Sequence, residues 1–169
     1  LLKDVGSEAE AAPVVSIPEG FNGTLDLGGK TLYSRIEASK AMVALTVKNG
    51  KILHRTGSAA AIDIKVGGLL TLDDVYLETS YHGVRLRRNA KGVINSGDYR
   101  LVDTSASTYN LLYLSDAPAS GDPASLVVNG GDFYARNVSS GPYVMIRALI
   151  GEVAINDGVF HAYLPGTTS

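Results

Sequence analysis

The chain has 169 residues, enough for one domain with a substantial core, and a formal net charge of −2. That balance gives the whole molecule no electrostatic basis for binding nucleic acid or a membrane surface. The absence of cysteine excludes disulfides, thiolate metal sites and a cysteine nucleophile, while 19 glycines and no tryptophan suit short strands joined by tight turns. No apolar run approaches the roughly 20 residues that would span a bilayer, so membrane insertion is not expected.

Residues 1–21 read as a lead-in, a cap and a first strand. LLKDV and SEAEAA allow a short helix over 1–12, opposed by Gly6 and by the lack of a sustained helical period. Pro13 then forces an extended start, and VVSIPEG reads as a strand closed by a Pro/Gly turn. A lead-in over the first coil is expected, because an open solenoid end invites strand addition.

From residue 22 to 169 one eight-residue phrase returns six times: LDLGGKTL (25–32), LTVKNGKI (45–52), LTLDDVYL (70–77), GVINSGDY (92–99), LVVNGGDF (126–133) and VAINDGVF (153–160). Apolar residues hold its third and eighth places, and a polar or glycine turn separates them. A repeat of roughly 20 to 30 residues built on short strands predicts a solenoid, in which each unit buries its apolar face only by stacking on its neighbours. Before four of the phrases lies a second strand with clean period-two alternation: AIDIKV (61–66), GVRLRR (83–88), LLYLSD (111–116) and YVMIRA (143–148). Their predicted inward pairs are Ile62/Ile64, Val84/Leu86, Leu112/Leu114 and Val144/Ile146. The run APASGDPAS (117–125) reads as an inserted loop.

The fourth place of the phrase is the sharp turn, held by Gly28, Lys48, Asp73, Asn95, Asn129 and Asn156. Stacking superimposes Asn95, Asn129 and Asn156 at about 4.8 Å, so their amides are expected to form a ladder, in a left-handed corner that asparagine tolerates. The fold expected is therefore all-β, a parallel β-helix of about six coils.

This asparagine-cornered repeat resembles the single-stranded, right-handed parallel β-helix of the pectin-lyase-like superfamily. More narrowly, LLKDV, SIPEG, LDLGGKTL, LTVKNGKI and LTLDDVYL resemble β-helix segments in large surface proteins of gut bacteria and their phages. The resemblance implies a module outside the cell, on a bacterial surface or in a phage tail, with an assembly such as a homotrimer. It does not fix an activity, because the superfamily includes lyases, hydrolases, tailspikes, adhesins and stalks.

Outward residues of successive coils form columns. Aligning the pre-turn strands gives Asp63, Arg85, Tyr113 and Met145 in one column and Lys65, Arg87, Ser115 and Arg147 in the next, with Tyr81 and Tyr109 just before them. Tyr81, Tyr109 and Tyr113 beside Arg85, Arg87 and Arg147 offer ring platforms and forked donors suited to a cell-surface glycan. The plain alternative is a solvated face on which Asp63 and Arg85 are an ordinary cross-strand pair. Asp98 and Asp132 share the seventh place in successive coils, the weaker alternative of a carboxylate pair for polysaccharide cleavage. The phrases Asn-Thr-Asp and Gly-His-Gly of the superfamily's hydrolases are absent. His54, His82 and His161 follow no metal-ligand spacing, His54 and His161 being expected on outer surface, and neither metal nor cofactor is expected. The chain thus reads as a non-catalytic structural or adhesion module, with a polysaccharide-degrading enzyme as the alternative.

Overall fold

The computed structural model describes residues 1–10, 13–56, 59–104, 109–116, 122–137 and 145–163. In chain order its strands are β1 (Val15–Ser16), β2 (Asn22–Asp26), β3 (Thr31–Leu32), β4 (Ile36–Ala38), β5 (Val43–His54), β6 (Ile62–Ile64), β7 (Gly68–Thr79) and β8 (Val84–Arg87). They continue as β9 (Lys91–Ile94), β10 (Gly97–Thr104), β11 (Leu112–Ser115), β12 (Ala124–Val128), β13 (Asp132–Asn137), β14 (Ile146–Ala148), β15 (Gly151–Ile155) and β16 (Val159–Tyr163). They wind into a parallel β-solenoid of about five turns, with no helix among the described residues. The short helix allowed over 1–12 is absent from described residues 1–10, where Val5 instead bridges Leu32.

Two sheets result. The shorter runs β1-β4-β6-β8-β11-β14, every neighbour parallel. The longer is built from the phrases, the long strands β5 and β7 bending through the corner that separate strands flank elsewhere. Alternation explains the partition. Val43, Leu45 and Val47 of β5 point inward, and so do Val84 and Leu86 of β8 and Leu112 and Leu114 of β11. Each aliphatic side chain meets its register partner one coil away, giving one continuous core from Ile17 to Ala135. At the phrase's eighth place the aromatic rings stack: Tyr99 on Phe133 at 5.0 Å, and Phe133 on Phe160 at 4.7 Å. Such pairs contribute about 0.5 to 1.5 kcal/mol beyond their buried area.

The asparagine ladder is present. Asn129 Nδ2 donates to Asn95 Oδ1 at 3.1 Å, and Asn156 Nδ2 donates to Asn129 Oδ1 at 2.8 Å. The left-handed residue of the corner is not the ladder asparagine, and in the later coils it is the sixth-place glycine, which suits that backbone. It is Asn49 (φ 58°) and Asp74 (φ 51°) in the early coils, and Gly97, Gly131 and Gly158 in the later ones. The ladder asparagines therefore link coils, and the glycine two residues on takes the strained backbone.

Two registers also differ from the sequence alignment. Leu25 pairs with Val47 and Asp26 with Lys48, so Asp26, rather than Gly28, occupies the corner column. Thr31 pairs with Lys51, which leaves residues 27–30 where the next coil needs only 49–50. The surplus is absorbed by Gly28 and Gly29 in left-handed backbone and by Leu27, whose side chain lies over Gly50. At the other end Leu112 pairs with Ile146 and Tyr113 with Arg147, two residues later than the alignment that placed Met145 beside Tyr113. Residues Tyr143 and Val144, and 117–121 of the inserted loop, lie outside the described residues; Ala124 and Ser125 of that run belong to β12.

The lead-in lies along the first coil. Val5 exchanges backbone bonds with Thr31 and Tyr33, and Asp4 accepts from the Thr31 amide at 2.7 Å. Among the described residues nothing comparable covers the last coil, and Ile155 and Phe160 are exposed by 51% and 36%.

The corner geometry makes a prediction. Gly97 has φ 128°, and a Cβ there would collide with the Val75 carbonyl oxygen. Gly29 also has positive φ, but a Cβ there meets open space. Gly97→Ala is expected to cost about 3 kcal/mol and Gly29→Ala about 1 kcal/mol in denaturant unfolding. Equal costs would contradict the close coil approach at Gly97.

Candidate functional site

The short sheet sets its outward face by register. Glu37, Asp63, Arg85, Tyr113 and Arg147 follow one another along one column, from β4 through β14. Glu37 is the member that the sequence reading missed, because IEA at β4 is too short to show alternation on its own.

The first half of the column is a closed charge network. Asp63 is 0% exposed. Its Oδ2 accepts from Arg85 Nη2 at 2.6 Å and from Arg87 Nη2 at 2.9 Å, and its Oδ1 accepts from Arg85 Nε at 3.3 Å and Arg87 Nε at 3.1 Å. Arg87 also reaches Asp116 at 3.4 Å. Burial raises the Asp63 carboxyl to about 6, with Arg87 and Lys65 pulling against it, so the group is ionised at neutral pH. Glu37 is held by Arg35 at 2.6 Å and Lys65 at 2.7 Å. Its burial acts to raise its pKa, but hydrogen bonds from Lys65, Ser39 and Arg35 outweigh that and bring it down to about 2. Arg85 and Arg87 thus neutralise Asp63, and the plain reading of Asp63 and Arg85 as a cross-strand pair describes their geometry.

The second half is aromatic. Tyr81 meets Tyr109 edge-to-face, centroids 4.9 Å apart at 66°. His82 meets Tyr109 at 5.3 Å and 89°, and Tyr113 at 4.8 Å and 34°. The Arg147 guanidinium lies 5.8 Å from the Tyr113 centroid. Of the three arginines expected on this face, Arg147 alone enters no ion pair among the described residues. The four rings are half-buried, and two of the three contacts among them are edge-to-face, an arrangement in which a ring edge rather than a whole face meets the partner.

His82 is the second residue missed. The backbone N–H of Asn110 donates to its Nδ1 at 3.1 Å, so the neutral ring carries its proton on Nε2. Burial lowers its pKa, the Asn110 hydrogen bond acting in the opposite sense and Arg147 and Arg87 adding to the fall. Its signal was in the sequence: Tyr-His at 81–82 and Tyr-Asn at 109–110 occupy equivalent places before β8 and β11.

His54, expected on outer surface, is 7% exposed. The reason is parity: it lies two residues past the inward Ile52 in β5 and pairs with the buried Thr79. Its Nε2 has no hydrogen-bond partner among the described residues, and burial lowers its pKa, with a backbone bond to Ala59 opposing and Arg35 reinforcing.

Asp98 and Asp132 are register partners, as their shared place requires. Asp98 is engaged, however, accepting from Arg100 Nε at 2.7 Å and Nη2 at 2.6 Å. Around it lies a second outward column, with the Arg100 guanidinium 5.4 Å from the Tyr76 centroid and 4.8 Å from Tyr134. Tyr134 stacks on His161 at 4.4 Å and 5°. Rings stacked along the solenoid axis cover each other's faces, so this column is a brace more than a platform. Among the described residues no group of three or more His, Asp or Glu side chains is placed to hold a metal ion.

Asp63→Asn removes the partner of two arginines and is expected to cost about 3 kcal/mol in denaturant unfolding; a cost near zero would contradict its place as the hub. Glu37 has a folded pKa below its unfolded 4.5, so its stabilisation is complete above pH 4.5 and is lost as pH falls toward 2. Glu37→Gln is expected to flatten the loss of thermal midpoint across that interval, and an unchanged pH profile would contradict the assignment. Comparison with protein-family models, with curated proteins and with solved structures finds no match, so fold and site rest on the geometry of this chain alone.

Proposed function

We propose that this chain is a rigid, non-catalytic β-solenoid module that displays the Tyr81/His82/Tyr109/Tyr113 corner for binding glycans, with Arg147 as the contact for an acidic sugar. The observation that carries this reading is the edge-to-face packing of the corner beside an arginine that enters no ion pair among the described residues. Ring faces take the apolar face of a pyranose ring, His82 Nε2 and the tyrosine hydroxyls donate to its hydroxyls, and a guanidinium pairs with a carboxylate. The extracellular setting, on a bacterial surface protein or a phage tail fibre or spike, and the place in the pectin-lyase-like superfamily, are proposed from the phrases that resemble such segments. A solenoid held by backbone ladders along its length suits a stalk that positions such a corner. Cleavage of a polysaccharide finds less support, because Asp98 is already paired with Arg100.

The geometry also selects the variants. Arg87→Ala is a poor probe, since it would leave Asp63 half-paired. On an array of neutral and acidic glycans, Tyr109→Ala/Tyr113→Ala is expected to abolish binding. Arg147→Ala is expected to weaken acidic glycans by about tenfold and to spare neutral ones, the loss of one charge-assisted contact. Absence of binding by the folded wild-type module would leave it a stalk and overturn the glycan reading.

A further inference from the structure

His82 is placed where a proton changes the corner. Its Nδ1 is an acceptor, and the donor is the backbone N–H of Asn110, a residue 2% exposed. The same imidazole touches Tyr109 on one side and Tyr113 on the other. One atom therefore fixes the entry into β11 and, through the ring, both tyrosines. Protonation at Nδ1 would put a donor against the Asn110 backbone N–H and against its side-chain Nδ2, which lies 3.4 Å away; the amide can turn, but the main-chain N–H cannot, and it loses the His82 acceptor.

The surroundings oppose a positive ring. The charged groups that bear on it are Arg87 of β8 and Arg147 of β14, both cations. The carboxylates nearest to Arg87, Asp63 and Asp116, are turned to that arginine. The groups facing it from the following coil are Tyr109, Asn110 and Tyr113, and Arg147 already sits by the Tyr113 ring. From the preceding coil the contact is main chain, the Ala61 amide donating to the His82 carbonyl. No compensating acid therefore meets the imidazolium among these contacts.

We propose that His82 is a proton-operated latch on the aromatic corner: neutral, it holds residues 109–110 and the two tyrosines in the binding arrangement; protonated, it releases them and the surface is lost. This rests on the corner being a binding surface, and it adds that binding there is switched off by mild acid. His82 acts as a positioning residue, through Asn110 and Tyr109. Its folded pKa lies below the ordinary 6.5, so the latch is closed above pH 6.5 and opens as pH falls through the lower folded value.

The test is an NMR titration of the free wild-type chain, following the His82 imidazole, the Asn110 amide and the rings of Tyr109 and Tyr113. The expected result is a His82 midpoint below 6.5, shared by the Asn110 amide and both rings. The Asn110 protection factor, corrected for intrinsic exchange, should fall by about tenfold across it, the equivalent of one lost hydrogen bond. His82→Phe keeps a ring and lacks the acceptor, so its Asn110 amide should be weakly protected at every pH, with no step. A His82 midpoint at or above 6.5, a silent Asn110 amide, or a step that persists in His82→Phe would overturn the proposal. Because no ligand is present, failure of the latch and failure of the glycan reading are read in separate experiments.

Discussion

Every part of this molecule depends on one constraint, the parallel pairing of each strand with its equivalent one coil later. Parallel pairing puts like position over like position, so a residue chosen once for the inside or the outside has its partner chosen too. Inside, that gives the aliphatic columns and the Tyr99–Phe133–Phe160 stack. At the corner it gives the Asn95–Asn129–Asn156 ladder. Outside, it turns single residues into rows, and the chemistry of a row differs from that of its members.

The outward column of the short sheet illustrates this. Glu37, Asp63, Arg85, Tyr113 and Arg147 are spaced by the strand repeat, and their interactions follow from order alone. Where acid and base are adjacent, as at Asp63 and Arg85, the charge is spent on the fold. Where the neighbour is a tyrosine, as at Arg147, the guanidinium enters no ion pair among the described residues. The buried Asp63 carboxylate is stable only because two arginines, one in register and one beyond, supply four contacts to it. The result is a face divided into a neutralised half and an aromatic half, and the glycan proposal rests on the second.

Much of the fold was legible in the sequence, since the eight-residue phrase shows both the period of the coil and the alternation of its strands. What escaped is what alternation cannot show. YVMIRA alternates cleanly as either Val144/Ile146 or Ile146/Ala148 inward, because a shift of two preserves parity; only pairing with β11 fixes Ile146 on Leu112. LDLGGKTL has its third-place leucine, yet Gly28 and Gly29 hide two extra residues that only the Thr31–Lys51 register exposes. The Tyr76–Arg100–Tyr134–His161 brace lies at and just past the end of the phrase, and counting one residue further would have found most of it. His54 was misplaced by ending the strand too early. In the candidate site the tyrosines were visible as neighbours on one face, but the engagement of Arg85 and Arg87 depends on the depth of Asp63, which no local pattern reveals.

The register beside the corner is the claim on which the rest stands, and a chain without cysteine allows it to be tested by cross-linking. Adjacent parallel strands put register partners about 4.8 Å apart, inside the Cα range of a disulfide, whereas a shift of two residues takes the pair beyond about 7 Å. Tyr113→Cys/Arg147→Cys is expected to oxidise to an intramolecular disulfide in the folded monomer, and Tyr113→Cys/Met145→Cys to remain reduced under the same conditions. Preferential oxidation of the Met145 pair would place Arg147 away from the tyrosine corner and contradict the account.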